Sequence, residues 1–163
     1  MPNNIKINGI IDEDFVNYRV PSMTIMFPYC SFKCNKDAGK IVCQNYLLKN
    51  DEIKEVSIDD LCKRYINNKI TSAVVCQGLE PFDSFEELYR FIEKLRLIYK
   101  CYDVVVIYTG YYKNEISWMI EELKKFENII VKFGRYIPDE KPHNDPVLSV
   151  QLSSSNQYAE VIS

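Results

Sequence analysis

Val104-Val105-Val106-Ile107-Tyr108-Thr109-Gly110-Tyr111 decides the architecture of this chain. The run from Val104 to Tyr108 is apolar at every position, with no polar alternation, as a strand covered on both faces requires. Upstream, Ser84-Phe85-Glu86-Glu87 reads as a capping box. It opens a helix with Phe85, Leu88, Tyr89, Ile92 and Leu95 on one face. Before that helix, Ala73-Val74-Val75-Cys76 is a short buried strand. Further upstream, Ser57-Ile58-Asp59-Asp60 caps a helix whose apolar face is Ile58, Leu61, Cys62, Tyr65 and Ile66. Met23 to Phe27 forms the first strand of this series. Downstream, Ile116, Met119, Ile120 and Leu123 repeat the helical spacing, and Ile129-Ile130-Val131 follows as another strand. Strands alternating with helices imply βαβ crossovers and a parallel sheet. Pro138 to Pro146 reads as a loop, and the whole chain, 1–163, as one domain.

The chain has 163 residues, a net charge of −3 and a pI of about 5.3. This balance gives no support for nucleic acid as a partner, which would favour a basic face, and none is expected. No apolar run approaches the ~20 residues of a membrane span. Met1 to Asp14 lacks an apolar core after a basic start, so no export signal is expected. The expected location is cytoplasmic. There, six cysteines stay reduced and favour metal or redox chemistry over disulfides.

Three of those cysteines cluster, as Cys30-Ser31-Phe32-Lys33-Cys34 and Cys43-Gln44-Asn45. Three thiolates are one short of a closed tetrahedral zinc site. They suit a [4Fe–4S] cube whose fourth iron stays open to a non-protein ligand. The functional groups of parallel α/β sheets collect at the carboxyl ends of the strands. Cys30 follows the first strand, Gln77-Gly78-Leu79-Glu80-Pro81 ends the second, and Thr109-Gly110-Tyr111 ends the third. All three segments are expected on one edge of the sheet.

The Cys-x3-Cys start and Cys-x-Asn ending resemble the cluster motif of radical S-adenosylmethionine (SAM) enzymes. Gly78-Leu79-Glu80-Pro81 resembles their Gly-Gly-Glu-Pro segment. Thr109-Gly110-Tyr111, Phe133-Gly134-Arg135-Tyr136 and Ser154-Ser155-Asn156-Gln157 are similar to segments of one subfamily, the activating proteins of anaerobic ribonucleoside-triphosphate reductase. This resemblance implies a partial open (β/α) barrel of about four to six mainly parallel strands. It implies a [4Fe–4S] cluster on Cys30, Cys34 and Cys43, and SAM bound by Val42, Gln44, Asn45, Gly78, Glu80 and Thr109. Val42 and Gln44 correspond to backbone contacts to adenine, Glu80 to the amino-group site and Thr109 to the ribose side. The implied activity is reductive cleavage of SAM to a 5′-deoxyadenosyl radical, which takes a hydrogen atom from a glycine of the large reductase subunit. The implied partners are that glycyl radical subunit and an electron donor such as flavodoxin or ferredoxin. No catalytic residue beyond the cluster ligands is needed, consistent with a single histidine, His143.

The sequence departs from the pattern at several places. Eight residues, Asn35 to Val42, separate the last two cysteines where relatives have two. Leu79 replaces a glycine, Phe133 stands where relatives carry Asp, and Tyr18 where they favour glycine. Two alternatives stay open: a radical SAM enzyme acting on a small molecule, and a non-enzymatic zinc-stabilised interaction module that adds Cys76 as fourth ligand. Duller roles are also assigned: Glu80 capping the helix that follows, Thr109 as a turn residue, Cys62 as a core thiol, Cys101 at a strand entrance on the opposite edge, and His143 in solvent.

Overall fold

The structure is a computed structural model and describes residues 3–43 and 46–163, without the side chain of Cys34. In chain order the strands are β1 (Asn4–Ile7), β2 (Gly9–Asp14), β3 (Ser22–Phe27), β4 (Lys54–Ser57), β5 (Ala73–Gly78), β6 (Val104–Tyr108), β7 (Ile129–Phe133), β8 (His143–Asp145), β9 (Val150–Leu152) and β10 (Tyr158–Val161). The helices are α1 (Lys33–Ala38), α2 (Ile58–Asn67), α3 (Phe85–Leu97) and α4 (Ser117–Leu123).

The central sheet has six strands in the order β10-β7-β6-β5-β3-β2. Its middle is parallel, with Ile25 beside Cys76, Cys76 beside Ile107, and Ile107 beside Val131. Both edges are antiparallel: β2 pairs with β3 and β10 with β7. Two small antiparallel ladders, β1–β4 and β8–β9, complete the fold.

The partial open barrel of mainly parallel strands, expected from the resemblance, is therefore corrected to an open mixed sheet. The physical reason lies at the edges. Each outer parallel strand is covered by a short antiparallel strand, which ends the sheet. On the β2 edge Asp12 and Glu13 reach solvent, with Asp12 paired to Arg64 at 2.6 Å, while Asp14 is buried. Such edges resist further pairing.

Side-chain alternation splits the core in two. Val74, Cys76, Val105, Ile107, Ile129 and Val131 face the helices, where they meet Leu61, Leu88, Ile92 and Ile120. Val75, Val106 and Ile130 face the opposite way and pack on Leu148, Leu152 and Ala159. Both faces of the parallel strands are thus covered, as their uninterrupted apolar runs require. Pro138 to Pro146 is not wholly loop, because His143–Asp145 pairs with Val150–Leu152 and helps to build the second cover. His143 is half-buried there and not fully solvated.

The first cap is as expected: Ser57 Oγ accepts the Asp60 amide at 3.3 Å. The second is corrected. Ser84 makes no side-chain cap, because a 3₁₀ turn, Pro81–Ser84, precedes α3 and takes Glu80 as its cap instead. Proline fits the first position of such a turn, where its missing N–H is no loss. No helix is long and apolar enough to cross a membrane among the described residues.

Candidate functional site

At the carboxyl edge of the parallel strands lies a cavity of about 250 Å³. Cys30, Cys43, Gly78, Glu80 and Thr109 all line it, so five of the nine sequence-predicted site residues meet at one place. Val42 does not line it; its amide is tied to Asn35 instead. Gln44, Asn45 and the side chain of Cys34 lie outside the described residues.

Backbone pairing holds the cysteine loop against the Gly78 segment. Beyond the β3–β5 ladder, the Leu79 amide donates to Phe27 O at 3.0 Å and the Glu80 amide to Tyr29 O at 2.7 Å. Cys30 is the next residue. Gly78 allows this close approach: its φ is +92°, and a Cβ there would stand 2.6 Å from the Phe27 nitrogen. Leu79, at a glycine position of the motif that this segment resembles, is not among the residues with positive φ, so its side chain costs no backbone strain.

Glu80 joins two strand ends. Its Oε1 accepts from Thr109 Oγ1 at 2.9 Å and from the Gly110 amide at 2.8 Å, and its Oε2 accepts from the Phe82 amide at 3.1 Å. Burial pushes its carboxyl up to about 7, against the opposing pull of those three donors. Glu80 thus serves as the cap of the turn after it and as a tie to Thr109. The Thr109 hydroxyl in turn accepts the Tyr111 amide at 2.9 Å.

The long spacing between Cys34 and Cys43 is closed by one side chain. Asn35 Oδ1 accepts the amides of both Val42 and Cys43, at 2.7 and 2.8 Å. Helix α1 begins after Phe32, whose φ of 56° is left-handed and turns its own amide toward Cys30 Sγ at 3.1 Å. N–H donors to a cluster sulfur are one of the means by which proteins tune it. Gly39, with φ +69°, ends the helix in a left-handed cap.

The remaining motif residues frame the cavity from the β7 side. Gly134, at φ +107°, has Asn156 and Gln157 packed where a Cβ would stand. Asn156 Nδ2 donates to Arg135 O at 2.7 Å, and Gln157 Nε2 to Gly134 O at 3.2 Å. The Ser-Ser-Asn-Gln segment is therefore a brace for Phe133-Gly134-Arg135. Lys132, a cavity residue that the sequence reading missed, is buried in β7 and donates from Nζ to Gly134 O at 3.1 Å. Its signal was available, since it is the one charge in Ile129-Ile130-Val131-Lys132-Phe133.

The other cysteines stand apart. Cys76 is fully buried in the helix-side core and does not line the cavity, so the zinc alternative loses its proposed fourth ligand. Cys62 is buried on α2, where desolvation first, then Asp59, pushes its thiol up to about 12. Cys101 precedes β6, at the other end of the strands.

The donor set fits an iron–sulfur cluster. Two cysteines stand on the cavity wall, a third belongs to the same loop, and an amide points at one of the sulfurs. No curated protein matches the chain. Residues 19–159 match the model of a family described as a 4Fe-4S single cluster domain, which spans the cysteine loop, the whole parallel sheet and the Ser-Ser-Asn-Gln brace. The chain belongs to this family and is a 4Fe-4S cluster-binding domain.

Proposed function

We propose that this protein is a radical SAM activase that generates a glycyl radical on the large subunit of an anaerobic ribonucleotide reductase. The observation that carries the reading is the joining of Cys30, Cys43, Gly78, Glu80 and Thr109 around one cavity. In this reading Cys30, Cys34 and Cys43 would hold the cluster, and the residues at the ends of β5 and β6 would hold SAM. When bound, such a cluster, fed by a flavodoxin or ferredoxin, supplies the single electron that splits SAM into methionine and a 5′-deoxyadenosyl radical, the species that takes hydrogen from glycine Cα.

The chain's own residues have positional tasks. The end of β5, where Gly78, Leu79 and Glu80 line the cavity, would present backbone groups to the amino end of SAM. Glu80, by holding Gly110 and Thr109, fixes the distance between the two strand ends that flank the cofactor. By the resemblance, Val42 and Gln44, on either side of Cys43, would serve adenine, although the Val42 amide is already taken by Asn35. Fixed geometry matters because electron transfer, bond scission and hydrogen abstraction need their atoms in near contact. Water must also be excluded, and a glycine-bearing loop of the partner entering the cavity mouth would do this.

The test mixes reduced, cluster-loaded protein with SAM and the candidate reductase. A doublet EPR signal on the large chain, together with 5′-deoxyadenosine, is the expected result. Replacing the partner's radical-bearing glycine with alanine should remove the signal. Deoxyadenosine without any radical on the large chain would overturn the activase assignment in favour of a small-molecule substrate.

A further inference from the structure

The cysteine loop carries a helix too short to stand alone. Helix α1 has six residues, and isolated helices need about twice that length to persist in water. Something outside the loop must fix where it sits. Arg135 occupies that position. Its Nε lies 2.7 Å from Asp37 Oδ2 on α1, an ion pair whose N–H is not aligned for a hydrogen bond, and its Nη1 donates to Glu115 Oε1 at 2.8 Å. The same guanidinium donates to Gly110 O at 3.3 Å and stacks 4.7 Å from the Tyr112 ring. Glu115 also takes Lys33 at 3.4 Å, at the other end of α1.

We propose that Arg135 is a latch on the cluster loop: a positioning residue that, through Asp37, sets where Cys34 and Cys43 stand relative to the cavity. The cluster part of this inference rests on the reading that Cys30, Cys34 and Cys43 are the ligands. The latch has a fixed side and a moving side. On the fixed side, the Arg135 backbone is braced by Asn156, and its side chain is only 13% exposed. Guanidinium planarity lets one group serve two carboxylates and a ring together, which an ammonium cannot do. On the moving side, Asp37 is 64% exposed, so the contact is sensitive to salt. The long Cys34–Cys43 spacing gives the loop a freedom that a two-residue spacing lacks, and the latch removes it.

Asp37→Asn is the informative variant, because Asp37 lies off the cavity wall. Two readouts are needed. In the full-length protein without cluster, trypsin should cut after Lys36 and Lys40 about three- to tenfold faster in Asp37→Asn than in wild type, with an unchanged melting temperature. Raising NaCl to about 0.5 M should speed the wild-type cut toward the variant's rate and change the variant little. In reconstituted protein, chelator-driven bleaching of the cluster should accelerate by a similar factor. Arg135→Gln should behave like Asp37→Asn, and the double variant should be no faster than either single. Equal tryptic rates in Asp37→Asn and wild type at low salt would overturn the latch. Faster cutting with an unchanged cluster lifetime would overturn its positioning role. A wild-type protein that takes up no four-iron cluster would overturn the ligand assignment instead, with the latch still judged by the tryptic rates.

Discussion

Asn35 and Cys43 are joined across eight positions of sequence by one hydrogen bond of 2.8 Å, from the Cys43 amide to the Asn35 side-chain oxygen. The same oxygen holds the Val42 amide, so a single carboxamide closes the loop that separates two of the three clustered cysteines. What looks in the sequence like a damaged motif is a longer loop with its own clasp.

Asn35→Ala should therefore release two backbone amides at once. The expected cost is about 1–2 kcal/mol of local loop stability, with a lower iron content after reconstitution. Asn35→Asp keeps an acceptor oxygen and should restore most of the iron. Iron analysis of the three proteins checks this. Full loading of Asn35→Ala would contradict it.

Gly78→Ala should be among the most damaging single substitutions. The added methyl meets backbone atoms of Phe27 and Met26 under 3 Å, in a left-handed conformation that alanine disfavours. A loss of about 3 kcal/mol or more is expected. Thermal unfolding measures it, and a variant as stable as wild type would show that β3 and β5 do not approach so closely.

Glu80 gives the chain a specific pH dependence. Its folded carboxyl titrates near 7, above the ordinary 4.5, chiefly because it is buried. A raised acid favours the folded state when protonated. Its contribution is complete below pH 4.5 and is lost as pH rises through about 7, a change of order 3 kcal/mol. Glu80→Gln should flatten this part of the stability profile while keeping acceptance from Thr109 and Gly110. Its Nε2 would face the Phe82 amide, donor against donor, at a constant cost. Denaturant melts at pH 5 and 7.5 compare the two proteins, and equal slopes would refute the assignment.

Four of the six cysteines should divide cleanly. Cys62→Ala removes a buried thiol held well above neutrality and should cost about 1–2 kcal/mol of packing without loss of iron. Cys30→Ala, Cys34→Ala or Cys43→Ala should each abolish the four-iron cluster. Iron and sulfide analysis separates the two groups. A full cluster in Cys43→Ala would show that the ligand set is wrong.

How legible this was depends on the element. The parallel strands β3, β5, β6 and β7 were readable because burial on both faces writes itself as an unbroken apolar run, as in Val104 to Tyr108. The edge strands were not. Gly9-Ile10-Ile11-Asp12-Glu13-Asp14 faces solvent on one side and mixes apolar and acidic residues, and Tyr158 to Val161 is four residues long. Missing them left the sheet wholly parallel in the reading, with nothing to set against the barrel that the resemblance implied. The gathering of Cys30, Gly78, Glu80 and Thr109 followed from a general rule about strand ends, which needs no side-chain detail. The parts carried by side-chain bonds across the chain could not be read: the Asn35 clasp, the Glu80–Thr109 tie, and the contacts of Arg135 with Asp37 and Glu115. Ser84 shows the reverse case, in which a local capping signal is overridden by Pro81 starting a turn three residues earlier.

The most direct test of the central claim is the EPR spectrum of the anaerobically reconstituted, reduced protein, recorded with and without SAM. Cysteine ligation of three irons predicts about four irons and four sulfides per chain, with one iron open to an outside ligand. SAM binding at that iron should change the g-values of the reduced signal in wild type. A four-iron signal that is identical with and without SAM would contradict the proposed function.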